Sequence, residues 1–282
     1  MMLKTLPPDV AHQRANGRAF AGLDWRRGRT RLTELAQRGC AKAFLPRVPG
    51  APEVVFLNTA GGLTGGDTLR YALTLGAGST ATATTQTAER AYAATPDAAA
   101  AQIDVEAQVG TDAHLDWLPQ ETILFDRAKL DRSTQIHLSG TASLVFCEAL
   151  VLGRVAMGEA VRVLHLSDRR MITRDGRPVV LDAVSLSSDT LADRFARAGL
   201  ADARAVATLG LVAQGAEDAA TALRAVALPD GVRCGISGWD GRCLVRLMAE
   251  DGWPLRVAMA AIVRHLGTRN GNAGAVPRVW QI

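Results

Sequence analysis

The chain has 282 residues and a formal net charge of +4; it is 48% hydrophobic, 21% charged and 5% aromatic. That composition suits a soluble globular protein with a full core, and no run of about 18 apolar residues reads as a membrane span. The arginines are scattered, with DWRRGRTRL (24–32) as the densest group, and so few aromatics lie among them that a solvated face or protein interface fits better than a nucleic-acid groove.

The opening MMLKTLPPDVAHQRANG lacks the apolar core of a secretory signal. From Gly17 to about Leu186 the pattern has period two. RYALTL (70–75), AQIDVEAQV (101–109), AHLDWLP (113–119), TQIHLSG (134–140), SLVFCEALVL (143–152), AVRVLHL (160–166) and PVVLDAVSL (178–186) are short runs split by Gly, Asp, Ser or Pro. Such runs predict many short strands in a sandwich, barrel or coiled β architecture, and no fixed repeat length marks a regular solenoid. After Leu186 the chain turns alanine-rich, with possible helix caps at Asp189, Asp202 and Glu217–Asp218. AEDAATALRAVAL (216–228) is a predicted helix, with Ala219, Leu223 and Val226 on one face; LRVAMAAIVRHLG (255–267) is a second, ended by Gly267. Two helices cannot bury a core of their own, so they are expected to pack on the β body within one domain: β body about 17–186, helix-containing part about 187–267, tail 268–282. Cys40, Cys147, Cys234 and Cys243 form no CxxC pair, which suits a reducing, cytoplasmic setting.

The segment FLNTAGGLTGGD (56–67) carries four glycines and an acid between two strand-like runs. It is not a phosphate loop, because Asp67 stands where a lysine would meet phosphate. Nor is it a dinucleotide fingerprint, because a strand rather than a helix follows. The glycines are read as devices of tight turns or close chain approach. Period two puts Asp67 on the apolar side with Leu69, Tyr71, Leu73 and Leu75. Glu121, Glu148 and Asp182 fall on apolar faces by the same test, whereas Asp104 and Glu106 fall on the solvent side. Ionised carboxylates in a dry interior are costly, so these four need arginine partners, β-bulges or interior water. Four in one β body favour an internal hydrated path, which would attract divalent cations. His12, His114, His137, His165 and His265 form no metal-ligand spacing, and sparse carboxylates in water suit weak holding of a borderline metal.

Taken in order, FLNTAGGLTGGD, TTQTAERAY (84–92), LPQETILFDRA (118–128), EALVLGRVAMGE (148–159), DGRPVVLD (175–182) and the terminal PRVW (277–280) resemble the motif series of the UreD (UreH) urease accessory proteins, from about Leu32 to Trp280. Thr59 and Ala60 stand where members often carry prolines, and a lysine or arginine is common in members near Glu89. The resemblance implies a β-helix-like stack of many short strands with two helices packed in the C-terminal third. It implies a non-enzymatic scaffold that joins UreF and the GTPase UreG on the urease apoenzyme, with no tightly bound cofactor and with Ni²⁺ in transit through a water-filled tunnel. On that basis Asp67, Glu121, Glu148 and Asp182, with the oxygens of Thr84, Thr85 and Gln86, are expected to line the path. Partner contact is expected from Val257 to Ile282, through Val257, Met259, Ile262, Val263, Leu266, Arg278 and an exposed Trp280. The competing expectations are a purely structural adaptor with salt-bridged acids and, less favoured, a glycoside hydrolase using two of the acids, for which aromatic sugar platforms are scarce.

Overall fold

The computed structural model describes residues 14–154, 157–268 and 276–280. β1 (Asn16–Arg26) and β2 (Arg29–Gly39) form an antiparallel hairpin that turns at Arg27 and Gly28, both at positive φ (52° and 77°). β3 (Ala41–Phe44) and β4 (Glu53–Asn58) begin a second sheet. The chain then alternates between the two sheets. β5 (Thr68–Leu75) returns to the first beside β1, and β6 (Thr80–Thr85) lies beside β4 in the second. After the short β7 (Glu89–Ala91), β8 (Ala101–Val109) pairs with β5 and β9 (His114–Trp117) with β6. The short β10 (Thr122–Leu124) joins β7, β11 (Ala128–Leu138) pairs with β8, β12 (Ser143–Leu152) with β9, and β13 (Leu164–Arg174) with β11. All of these later pairings are parallel. Each circuit thus adds one strand to each sheet, which is the coiled, β-helix-like stack that the motif series implies.

Antiparallel strands close both sheets. β14 (Arg177–Ser187) ends the seven-stranded first sheet. After the short α1 (Ser188–Ala192), β15 (Ala205–Val212) pairs with β12; α2 (Ala219–Leu223) precedes β16 (Arg233–Trp239) and β17 (Arg242–Ala249), which complete the ten-stranded second sheet. α3 (Gly252–Thr268) and a 3-10 turn at Arg278–Trp280 follow. The sheet therefore continues past Leu186: three strands lie in the part expected to carry the helices, and β15 lies within the alanine-rich stretch itself. AVATLGLV forms a strand there because its Leu, Val and Thr residues fill both faces of an interior position beside β12.

Two cores result. The first lies between the sheets and takes the inward residue of each alternating pair, such as Leu69, Tyr71, Leu73 and Leu75 of β5. β8 shows the rule plainly: Ala101, Ile103, Val105, Ala107 and Val109 are buried, and Gln102, Glu106 and Gln108 are exposed. The second core lies outside the second sheet, where Val145, Cys147 and Ala149 of β12 meet α2, α3 and the terminal turn. That is why β12 is apolar on both faces.

The glycine segment is a double device. Gly61, Gly62 and Gly66 have φ of 79°, 152° and 83°. A Cβ on Gly62 would lie 2.3 Å from the Tyr92 ring, and one on Gly65 2.6 Å from the Ala98 Cβ. Asp67 then ties the loop: Oδ1 accepts the Ala15 N–H and Oδ2 the Thr64 N–H, both at 2.8 Å.

Candidate functional site: a buried charge ladder and a cavity

Alternation carries acids and arginines into the space between the sheets. Glu148 of β12 is 3% exposed, and its Oε2 lies 2.8 Å from Nη1 of Arg132 on β11. The Arg132 Nε and Nη2 grip both oxygens of Asp168, at 2.9 and 2.6 Å, across the β11–β13 register. Asp168 Oδ2 also lies 3.1 Å from Arg170, Arg170 lies 3.4 Å from Asp182 of β14, and Asp182 Oδ1 accepts a hydrogen bond from Arg246 of β17 at 2.6 Å. The series Glu148, Arg132, Asp168, Arg170, Asp182, Arg246 alternates in sign, with Arg246 at its solvent end, so each buried acid of the ladder has a guanidinium beside it. Burial alone would push the Asp168 carboxyl upward, but the charge and hydrogen bonds of Arg132, with Arg170 beside it, hold it below the usual carboxylate range. Burial favours the neutral guanidine at Arg132, yet Asp168 and Glu148 together drive its affinity for the proton upward.

One end of this ladder opens on a cavity of about 60 Å³. At roughly 10–15 Å³ per water centre, that is room for a few waters. Its inner wall is Tyr71, Val105, Trp117, Thr122, Arg132 and Glu148; it reaches the surface beside Gly61, Thr87 and Arg90, which are exposed. The Trp117 indole N–H and the Thr134 hydroxyl both donate to Glu148 Oε1, at 3.0 and 3.3 Å. Nearer the mouth stands Glu89. Burial pushes its carboxyl above the ordinary range, only partly offset by the Arg90 N–H and the Asn58 amide that donate to it.

The expected path residues separate accordingly. Glu148 and Thr85 line the cavity, with Thr85 Oγ1 accepting the Gln120 N–H at 2.9 Å. Gln86 is exposed and offers its carbonyl to the Gln120 amide at 2.6 Å, while Thr84 is buried and donates to the Leu118 carbonyl at 2.6 Å. Glu121 is half-buried and bound to Arg256 of α3 at 3.3 Å. Asp182 belongs to the far end of the ladder, and Asp67 is engaged by backbone N–H groups. The structure does not bring the four acids to one place. Among the described residues no three His, Cys, Asp or Glu side chains converge as a metal would require. The period-two pattern also marks Arg132, Asp168 and Arg170 as inward, because each shares a face with Leu130, Ile136, Leu166 or Ile172.

The C-terminal region departs further from expectation. Met259, Ile262, Val263 and Leu266 are at most 4% exposed, packed with Leu255 and Ala258 on the second sheet. Trp280 is buried rather than exposed, at 7%, and its indole N–H donates to the Leu118 carbonyl at 3.2 Å. The cause is the second core: the apolar stripe of α3 and the terminal indole cover the outer face of β12, β15 and β17. Arg256 sits 6.0 Å from the Trp280 ring, and the Arg278 N–H donates to Glu53 at 3.2 Å. Of the expected contact residues, Val257 (41%) and the Arg278 side chain face solvent; Ile282 lies outside the described residues.

A coiled two-sheet β scaffold with a paired charge ladder between the sheets, an interior cavity and helices packed outside is the class of protein these features define. Residues 15–281 match the family described as UreD urease accessory protein. The chain is 51% identical over 276 residues to a urease accessory protein UreD of Cereibacter sphaeroides, covering 98% of each chain. It is 49% identical to one of Jannaschia sp., covering 96% of this chain and 97% of that one, and 45% identical to one of Dinoroseobacter shibae over the whole of both. The chain belongs to the UreD urease accessory protein family.

Proposed function

We propose that this chain is a non-catalytic urease maturation factor that works in the cytoplasm: a scaffold that sits with UreF and UreG on the urease apoprotein while Ni²⁺, its cargo, crosses by way of the interior cavity. The observation that carries the cargo path is a cavity open to the surface whose largely apolar walls carry oxygens from Asn58, Thr85, Glu89 and Glu148. Water and a few scattered amide, hydroxyl and carboxyl oxygens hold a borderline cation weakly, which suits transit. In this reading Asp67, Thr84, Glu121 and Asp182 keep the framework in register and stand off the path. The outer face of α3, where Trp253 (59% exposed) and Val257 lie one turn apart, is the partner-facing surface.

The Thr87→Trp variant tests the path. Thr87 is exposed at the cavity mouth, so a large ring there obstructs entry with little effect on folding. Co-expressed with urease and the other accessory proteins, this variant is expected to assemble normally yet leave urease with less nickel per active site by metal analysis. Full nickel loading would eliminate the path and leave the second reading, a structural adaptor. That reading draws on the guanidinium groups already bound to Glu121, Glu148 and Asp182. Glu148 is a poor probe of transit, because its removal also strips Arg132 of a partner.

A further inference from the structure

The first sheet ends at β2, and this edge strand is unusual on all three of its free sides. On the outer face, the cross-strand register sets Arg38 beside Arg18 and Arg18 beside Arg70. Like charges directly opposite one another destabilise a sheet. Among the described residues, Arg70 alone of these three has an ion pair, to Asp104 at 3.3 Å. Arg29 and Arg31 extend the same face, and the buried Nε of Arg31 has no hydrogen-bond partner among the described residues. Arg18, Phe20, Glu34, Ala36, Gln37 and Arg38 line a groove there, in which Glu34 is the single acid.

The inner face is equally incomplete. Leu32 and Leu35 pair with Leu23 and Ala21, which are 2% and 0% exposed, yet they are themselves 40% and 38% exposed. The second sheet reaches this face only at its two ends, where Thr30 accepts the Thr80 N–H at 2.9 Å and Gln37 the Ala43 N–H at 3.1 Å, and leaves the leucines between them uncovered. The third side is the outer backbone rim of β2, which pairs with no strand among the described residues. Proteins usually blunt such an edge with charge or a bulge. Here the charge on one face is mainly positive, with Glu34 and, opposite Arg31, Asp24 as its acids, while the other face presents Leu32 and Leu35.

We propose that β2 is a docking edge for an extended segment of a partner protein in which acidic and apolar residues alternate. Added as an eighth strand, such a segment places its carboxylates among Arg18, Arg31 and Arg38 on the outer face. Its apolar residues then lie on the inner face over Leu32 and Leu35, and the open rim supplies the backbone pairing. A second copy of this chain does not fit, because β2 against itself brings the same arginines together. The inference stands on β2 alone and does not depend on the cargo path or on α3.

The test uses the full chain and a labelled peptide as long as β2 that alternates Glu with Val. Two controls accompany it: one with the same residues in separate Glu and Val blocks, and one with Lys replacing Glu. Binding of the alternating peptide alone is expected, with slowed amide exchange confined to Arg29–Gly39 and its β1 partner. The double variant Arg18→Glu, Arg38→Glu, altered only at exposed positions, is expected to weaken that binding by about tenfold or more. Equal binding of the block peptide, equal binding of an RNA oligonucleotide, protection elsewhere, or indifference to the charge reversal would each overturn the proposal. So would a β2-protected dimer of the chain without peptide. The exchange measurement on the unaltered protein decides the matter even if the double variant does not fold.

Discussion

Arg132 is the residue on which the buried charge ladder turns, because it is held between Glu148 and Asp168 at 2.8 and 2.6 Å. Removing one member of a buried ion pair leaves charge uncompensated and costs about 3–5 kcal/mol. Arg132→Ala is expected to lose at least that much in urea unfolding at pH 7. The pH dependence follows from Asp168. Its folded pKa is depressed, so its contribution is present above the unfolded value of about 3.9 and is lost as pH falls through the lower folded value. The gap between the two proteins should therefore narrow when the measurement is repeated well below pH 4. Glu89 runs the other way. Its folded pKa is raised, so the folded state is favoured most while the group is protonated, and stability is lost as pH rises through that folded value. Glu89→Gln keeps an acceptor for the Arg90 N–H and removes the buried charge. It should raise the melting temperature at pH 7 by about 2 °C or more and make no difference near pH 4; a lower melting temperature at pH 7 would show that the carboxylate is stabilising.

At the scale of the element, α3 carries two stripes with different fates. Leu255, Ala258, Met259, Ile262, Val263 and Leu266 follow helical spacing and are buried; Trp253 and Val257 lie off that stripe and are exposed. Periodicity in the sequence marks an apolar face but not what covers it, so the same residues served equally well as a partner surface or as core. Substitution separates the two. Ile262→Asp places a charge in the second core and should unfold the protein, whereas Val257→Asp should stay within about 0.5 kcal/mol of the unaltered chain in thermal unfolding. If the outer stripe is the partner surface, Val257→Asp also loses co-purification with the partner; retention would move the interface elsewhere. β15 teaches the complementary lesson. Its alanines and glycine mute the strand pattern, and only its place between β12 and β17 makes an extended conformation the one that buries both faces.

For the whole molecule, the stack sets a gradient of protection. β11 and β12 lie inside their sheets with neighbours on both sides, and β2 lies at an edge with most of its side chains in solvent. Amides of Ala128–Leu138 and Ser143–Leu152 should therefore exchange slowest, and those of Arg29–Gly39 among the fastest of any strand. Uniform exchange across the sheets would contradict a coil stabilised from its middle outward. The parallel pairings join strands far apart in sequence, so folding requires many long loop closures before the sheets reward them.

The sequence by itself determined the period-two strands, the two C-terminal helices, the mainly β class, the family, and the inward aim of Asp67, Glu148 and Asp182. Each of these follows from local geometry or from an ordered set of motifs: alternate side chains of a strand face opposite ways wherever that strand ends up. The tertiary structure alone decided which partner met each buried charge. Arg132 and Asp168 lie 36 positions apart and meet only through the β11–β13 register, and no local pattern encodes a register between distant strands. It likewise decided that Trp280 is core and that β2 is an uncovered edge, because coverage depends on which other surface folds over a residue.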